Sequence, residues 1–473
     1  MSNIKRLVVP ISLLWVTFDL AFFPKIAFGQ DSLFSAPVYY NLGYGLSAVS
    51  ATDLDGDGDI DLAVTDNDDY TVKILLNNGL GGFAEVGSYD VGANPIGVFA
   101  ADLDGDNDND LCVANDISQD ASVLINDGAG TFQSAVNYGV SGRTYDVNLA
   151  DVDGDDDKDM IVAVFSTHSV AVLKNNGDGT FSSPSYYQGG TVPHSIFLAD
   201  FDGDNDLDIA AANTGSGDIS IFFNAGDGTF LNHVEYPVWN DPISIFGSDL
   251  NEDNTIDLAV ASMGQNSAVV LTNNGGGVFT VVGQYPVGSD PYSIRLADFN
   301  WDGKKDIVVS NLHSDNFNIL LGNGDGTFIQ NRSYATADPY KITSADFDND
   351  SDEDLAVPCF EAGQLLVFFN QLCNPTGIDN QSPSRPNQFE LAQNYPNPFN
   401  AQTAIAYVLP HDSHVRIAIC NLLGQTIETL VDLNQSAGYH QVLWDATAAP
   451  TGIYFYRIET SDYAMTRKML LAK

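Results

Sequence analysis

The hydrophobic and polar positions of this chain fall into short runs separated by turn residues. An alternating stretch over residues 181–188 ends at a Pro/Gly break, and Ser195-Ile-Phe-Leu-Ala-Asp200 then runs into an acidic loop. Asp208-Ile-Ala-Ala-Ala follows and leads through a polar turn to Ile219-Ser-Ile-Phe-Phe-Asn224. Runs of this length bounded by Gly, Pro, Asn and Asp predict strands. Leu62-Ala-Val, Leu258-Ala-Val and Ile307-Val-Val predict further strands, each just after an acidic loop.

The pattern is periodic. The loop's first aspartate, Asp53, recurs at Asp102, Asp151, Asp200, Asp249, Asp298 and Asp346, at spacings of 49, 49, 49, 49, 49 and 48 residues. A period of roughly 20–50 residues marks a solenoid or a propeller. Four short strands per unit predict the blade of a β-propeller. A turn ending in an aromatic residue recurs with the same period, as in Gly128-Ala-Gly-Thr-Phe132 and Gly177-Asp-Gly-Thr-Phe181, its glycines supplying positive φ. The phenylalanine 49 residues before Phe83 is Phe34, so residues 34–41 predict an outer strand without a blade of its own. Asp346–Asn370 supplies a loop and its strands but no fourth strand. The expected fold is therefore all-β: a seven-bladed propeller over residues 34–370, closed by its N-terminal strand, which removes exposed edges. An open solenoid is the alternative.

Each acidic loop reads D-x-[DN]-x-D-x-x-x-D. Positions 1, 5 and 9 are Asp53, Asp57, Asp61; Asp102, Asp106, Asp110; Asp151, Asp155, Asp159; Asp200, Asp204, Asp208; Asp249, Asp253, Asp257; Asp298, Asp302, Asp306; and Asp346, Asp350, Asp354. Position 3 is Asp55, Asp104, Asp153, Asp202, Asn251, Asn300 and Asp348. Hard cations such as Ca²⁺ take about 6–8 oxygen ligands at roughly 2.3–2.6 Å, so this is a calcium donor set. Position 7 holds Asp59, Asp108, Asp157, Asp206, Thr255, Lys304 and Asp352; a lysine fits there only if the backbone carbonyl faces the metal. Position 6 (Gly58, Asn107, Asp156, Asn205, Asn254, Gly303, Ser351) mostly holds types that tolerate a left-handed backbone. An EF-hand would need a glutamate at position 12, where the first loop has Val64. Metal-free Asx turns are the competing reading, but like charges at fixed offsets repel unless a cation neutralises them. Up to seven structural Ca²⁺ ions are expected.

Composition agrees. Acidic residues number 63 against 18 basic, a net charge of −45, and 31 of those acids are the aspartates at positions 1, 3, 5, 7 and 9 of the loops. Seven Ca²⁺ would leave the chain too negative to favour nucleic acid or an anionic membrane. Lys5, Arg6, the apolar run from Leu7 to Phe23 and the small residues Ala27 and Gly29 predict a signal peptide over residues 1–29. An uncleaved anchor is the rival, interrupted by Pro10 and Asp19. Four cysteines make no disulfide scaffold. Cys359 and Cys373 are near enough to pair, Cys112 stands where other units have small core residues, and Cys420 is remote.

After Cys373 a Pro-, Ser- and Asn-rich stretch predicts a linker over residues 371–388. Alternation at Thr403-Ala-Ile-Ala-Tyr-Val, His414-Val-Arg-Ile-Ala-Ile and Gly452-Ile-Tyr-Phe-Tyr-Arg-Ile predicts a small Ig-like β-sandwich over residues 389–473. The loops resemble those of the FG-GAP and VCBS repeat families, calcium-bearing propeller repeats also found in integrin α heads. That resemblance implies the loop residues above as metal ligands, in loops joining the first and second strands of each blade. Loop 6 departs most, with Trp301, Lys304 and Lys305. The tail resembles the type A C-terminal sorting domain of type IX secretion through Asn394-Tyr-Pro-Asn-Pro-Phe-Asn400, Asn421-Leu-Leu-Gly-Gln425, Ala437-Gly-Tyr-His440, Trp444-Asp445, Gly452-Ile-Tyr-Phe-Tyr-Arg457 and the terminal Lys-Met-Leu-Leu. The resemblance implies an export signal recognised by the secretion machinery, for release or attachment at the cell surface. A plain Ig-like accessory domain is the alternative.

No H-E-x-x-H or G-x-S-x-G is present. The turns at the end opposite the loops carry Tyr70, Arg143, Tyr145, His168, His194, Trp239, Asp241, Tyr292, His313, Tyr340 and Lys341, suited collectively to a sugar or protein ligand. Two functions are expected: a monomeric calcium-stabilised module binding extracellular glycan or protein, or a carbohydrate-active enzyme such as a polysaccharide lyase using Arg143, Tyr145, His168 and His194. The uniform spacing and lack of an inserted domain favour binding.

Overall fold

The computed structural model describes residues 33–371 and, with short gaps, 390–472. The expected signal peptide, the linker apart from Gln371, Cys373 and most of the Tyr-Pro-Asn-Pro segment lie outside the described residues. The chain is all-β, built of repeated four-stranded sheets in a propeller-like arrangement.

The first full sheet runs in chain order: β2 (Leu46–Thr52), β3 (Asp61–Asp66), β4 (Thr71–Leu76) and β5 (Ala84–Asp90). Among the described residues from 33 to 371, seven sheets of this kind occur. The strand after each Gly-x-Gly-x-Phe turn is the outer strand of the sheet before it, so the stretch 181–224 read from the sequence straddles two sheets. Ser185–Gln188 pairs with Ser169–Leu173, whereas Pro193–Ala199 opens the following sheet. β1 (Val38–Asn41) pairs antiparallel with Gln364–Phe368, joining the sheet of Thr343–Ala345, Asp354–Cys359 and Gln364–Phe368 as its fourth strand.

Position within the sheet explains the composition of each strand. The second strands, such as Asp61–Asp66, Asp159–Val164 and Asp306–Asn311, are buried along their whole length and read as continuous apolar runs. Outer strands such as Phe279–Pro286 face the core with alternate residues. No sheet has a core of its own. Leu54, Ala63, Val72 and Ile74 of one sheet pack with Leu111, Val113, Leu124 and Phe132 of the next. Leu46, Leu62 and Leu75 of the first sheet pack in the same way with Phe347, Leu365 and Val367 of the last.

Two recurring contacts stitch neighbouring sheets together. One is an edge-to-face aromatic pair: Tyr89–Phe132, Tyr138–Phe181, Tyr187–Phe230, Tyr236–Phe279 and Tyr285–Phe328 have ring centroids 5.2 to 5.6 Å apart. Phe34–Tyr334 and Tyr40–Phe83 continue the series at 5.5 and 5.8 Å. Each such pair contributes about 0.5–1.5 kcal/mol beyond its buried area. The other is an asparagine at the end of the third strand. Asn126 Nδ2 donates to Leu54 O (2.8 Å) and Asn175 Nδ2 to Leu103 O (2.8 Å), each carbonyl lying in the acidic loop of the preceding sheet. Asn77 Nδ2 donates to Phe347 O of the last loop (2.8 Å).

The tail forms two antiparallel sheets, Glu390–Leu391 with Gln402–Leu409 and Gly438–Asp445, and Thr426–Gln435 with Ser413–Cys420, Gly452–Glu459 and Ala464–Leu471. They share one core containing Phe399, Tyr407, Trp444 and Tyr456. Among the described residues no helix is long and apolar enough to cross a membrane. Among the described residues Cys112 and Cys359 are buried and form no disulfide.

Replacing Asn175 by alanine strips a donor from two carbonyls, Leu103 O and Lys158 O. We expect destabilisation by about 1–3 kcal/mol, read as a lower midpoint in denaturant. An unchanged midpoint would remove the asparagine from the account of sheet-to-sheet cohesion.

Candidate metal centres

Each acidic loop joins the first and second strands of a sheet and folds around its first carboxylate. In the first loop Asp53 Oδ1 accepts the N–H of Gly56 (2.8 Å) and Oδ2 that of Gly58 (3.0 Å). Asp55 and Asp57 each accept the N–H two residues on, at 3.2 and 2.9 Å. These bonds coil the backbone tightly, and position 6 has positive φ in all seven loops, from 65° at Asn254 to 91° at Gly58. Position 4 is left-handed as well, a requirement the sequence showed only in part. Gly56, Gly105, Gly154 and Gly203 meet it without strain, but Glu252 (φ 61°), Trp301 (58°) and Asn349 (61°) adopt it too.

The ninth residue buckles the loop to its sheet. Asp110 Oδ2 accepts the N–H of Leu103 (2.8 Å) in its own loop, and Oδ1 accepts that of Asn126 (2.7 Å) at the end of the third strand. Asp61, Asp159, Asp208, Asp257, Asp306 and Asp354 repeat this pair of bonds. Burial raises their pKa values, the two N–H donors oppose it, and the neighbouring loop carboxylates add to it. Asp61, Asp159, Asp208 and Asp257 reach about 6, Asp110 and Asp306 about 7, and Asp354 about 8.

Carboxylate oxygens converge within 4.8 Å of one another in five loops: Asp53, Asp55 and Asp57; Asp102, Asp104 and Asp110; Asp151, Asp153 and Asp159; Asp200, Asp202 and Asp208; Asp346, Asp348 and Asp354. In the other two, Asn251 and Asn300 occupy position 3. Oδ1 of Asp104, Asp153, Asp202 and Asp348 is buried with no hydrogen-bond partner. An anionic oxygen withdrawn from water costs several kcal/mol unless a cation or donor meets it. The arrangement fits a hard divalent ion bound at position 3.

In five loops the position-7 side chain rests against the turn that follows the third strand, whereas Asp352 of the last loop is buried beside its own loop's carboxylates. A Cβ on Gly79, Gly128, Gly177 or Gly226 would lie 2.5, 2.2, 2.6 or 2.7 Å from Oδ2 of Asp59, Asp108, Asp157 or Asp206, so these aspartates rest against the glycine of the following turn. Lys304 lies in the same way against Gly324.

An FG-GAP-like repeat model matches residues 53–113, 102–162, 151–211 and 249–309, and a secretion system C-terminal sorting domain model matches residues 393–472. The chain carries FG-GAP-like repeats and a sorting tail. That type IX tail marks it for export, to secretion or to attachment at the cell surface. No curated protein matches. Among solved structures, a functionally unknown protein from Desulfotomaculum acetoxidans is 15% identical, with TM-score 0.47, covering 67% of this chain and 90% of its own. A periplasmic gluconolactonase from Pseudomonas aeruginosa is 15% identical, with TM-score 0.45 and coverages of 64% and 98%. A protein from Lactobacillus plantarum is 13% identical, with TM-score 0.46 and coverages of 87% and 99%. Likeness at these scores carries no argument about this chain.

The turn residues at the far end of the FG-GAP-like repeats do not form one open face. Tyr145, His194, Tyr292 and Tyr340 stack into a cluster, with centroids 4.3 Å apart for Tyr145–His194 and 4.5 Å for Tyr292–Tyr340. Lys341 reaches 195 residues back in sequence to Asp146 Oδ1 (2.8 Å). His194 is buried, and Ile243 O accepts from its Nδ1 (3.0 Å), which fixes the proton there. Burial first, and the charge of Lys341 second, lower its pKa to about 3. Arg143 forms a two-pronged pair with Asp116 (both contacts 2.6 Å), and His168 Nδ1 accepts the N–H of Val192 (3.1 Å). Tyr70, His168, Trp239 and Asp241 are turn residues with φ between 55° and 70°; His313 pairs with Asp290. First strands carry a bulge, as between Thr144 and Asp146 or Pro193 and Ser195, at the cluster-forming residue. That irregularity had no sequence signal.

A carboxyl whose pKa is raised by folding keeps its proton in the folded chain after the unfolded chain has released it, so stability is lost as pH rises through the folded value. Without metal, the melting temperature should fall between about pH 4 and pH 8 as the ninth-position aspartates ionise. With millimolar calcium it should hold or rise over that window, because the ion competes with the protons. Thermal melts in EDTA and in calcium check this, and parallel profiles would contradict it.

Proposed function

We propose that the chain is a monomeric, exported β-propeller of seven blades, stabilised by calcium, that acts as a binding or adhesion module for an extracellular glycan or protein. The propeller spans residues 34–370, its ring closed by β1. A signal peptide (1–29) precedes it. A linker (371–388) and an Ig-like sandwich (389–473) follow, and the sandwich carries the address for export. Two observations support closure: the pairing of β1 with Gln364–Phe368, and the packing of the first sheet against the last.

The observation that carries the calcium reading is the row of buried, unpartnered oxygens on Asp104, Asp153, Asp202 and Asp348. Side chains at positions 1, 3, 5 and 9 would hold the ion. The backbone carbonyl of position 7 would complete the set, which is why Thr255 and Lys304 are tolerated there. When bound, the ion supplies charge neutralisation and a fixed loop geometry; no reaction step is assigned to it.

Binding is favoured over catalysis by the state of the residues best placed for chemistry. Arg143 is held by Asp116. His194 stays neutral and buried, a weak base aimed into an aromatic cluster. Regular sheets joined by short turns form a rigid frame, and the exposed turn side chains Tyr70 and Trp239 are what it displays.

Purified protein passed over a panel of immobilised polysaccharides, with ultraviolet absorbance followed for unsaturated products, should show retention without product. Product formed by the wild type and abolished in His194→Ala would establish the lyase alternative.

A further inference from the structure

We infer that the loop Asp151–Asp159 is a deliberately weakened calcium site, held at lower affinity than its neighbours by the ammonium of Lys174. The inference rests on the calcium reading above and adds that sites with the same acidic ligands differ in strength.

Lys174 is the last residue before the stapling asparagine of its sheet. The corresponding residues in the other sheets are Leu76, Ile125, Phe223, Thr272, Leu321 and Phe369, none of them charged. This place adjoins the position-3 ligand. The second glycine of the next sheet's turn lies against Leu76 and Asp55 at Gly130, against Ile125 and Asp104 at Gly179, and against Phe223 and Asp202 at Gly277. At Gly228 the neighbours are Lys174 and Asp153. A hydrocarbon wall beside the ligand is thus replaced, in one loop, by a cation.

The cation is docked on the ligand itself. Lys174 Nζ lies 2.9 Å from Asp153 Oδ2 and donates to Asp227 O at 2.6 Å, a carbonyl in the turn of the next sheet. Oδ1 of the same carboxylate is buried and unpartnered, like its equivalents in Asp104 and Asp202. An ion entering against Oδ1 therefore meets a carboxylate already shared with an ammonium. It also meets a like charge within roughly 5 Å, a repulsion that solvent screens only in part for a half-buried group. The loops Asp102–Asp110 and Asp200–Asp208 have aspartate at positions 1, 3, 5, 7 and 9, as this one does, and no such cation. They are the internal controls.

Hydrogen–deuterium exchange of the full chain across a calcium titration resolves the loops individually, through peptides covering residues 102–110, 151–159 and 200–208. In the wild type we expect the protection midpoint of 151–159 at about tenfold or more higher calcium than the other two. Lys174→Met should bring it down to theirs, and Lys174→Arg should leave it high. Equal midpoints in the wild type, or a midpoint unmoved by Lys174→Met, would overturn the inference; should that variant fail to fold, the wild-type comparison decides alone. Failure of all three peptides to respond to calcium would instead reject the calcium reading beneath it.

Discussion

Carboxylates gathered into a nine-residue turn repel one another, and the structure of this chain is organised around holding them together. Backbone N–H groups of the loop point at the first and fifth carboxylates, and the ninth is locked by one donor from its own loop and one from the end of the third strand. What these donors leave unmet, in four of the loops, is a buried oxygen at position 3. The demand for a cation is therefore written into the hydrogen-bond pattern as well as the charge count.

The same residues carry cohesion from sheet to sheet. In six of the sheets the backbone that the ninth aspartate grips belongs to an asparagine whose side chain crosses to the preceding loop, as Asn126 does to Leu54; the sixth sheet has Gly322 there. Each such loop thus ties its own sheet to the anchor of the next. Because every apolar core lies between two sheets, stability resides in the junctions, and the junction of last with first is built from the same parts as the others.

The repeating chemistry was legible in the sequence because each copy carries it alone: the aspartate spacing, the apolar second strands, the Gly-x-Gly-x-Phe turns. Features whose partner lies in another unit were not. Phe132 was visible as an anchor, but Tyr89, its ring partner, belongs to the sheet before it. The left-handed backbone at position 4 was signalled by four glycines and hidden by Glu252, Trp301 and Asn349. The polar and aromatic turn residues were expected to make a collective binding face. Instead His194 is buried and Lys341 is spent on Asp146, a residue of a different sheet that no local pattern connects with it.

The most direct test of the central claim is anomalous diffraction from crystals grown in calcium. The account predicts a calcium peak about 2.3–2.6 Å from Oδ1 of Asp104 and of Asp202, with the other ligand oxygens of each loop at similar range. Ordered water in those positions, with no anomalous signal, would contradict it.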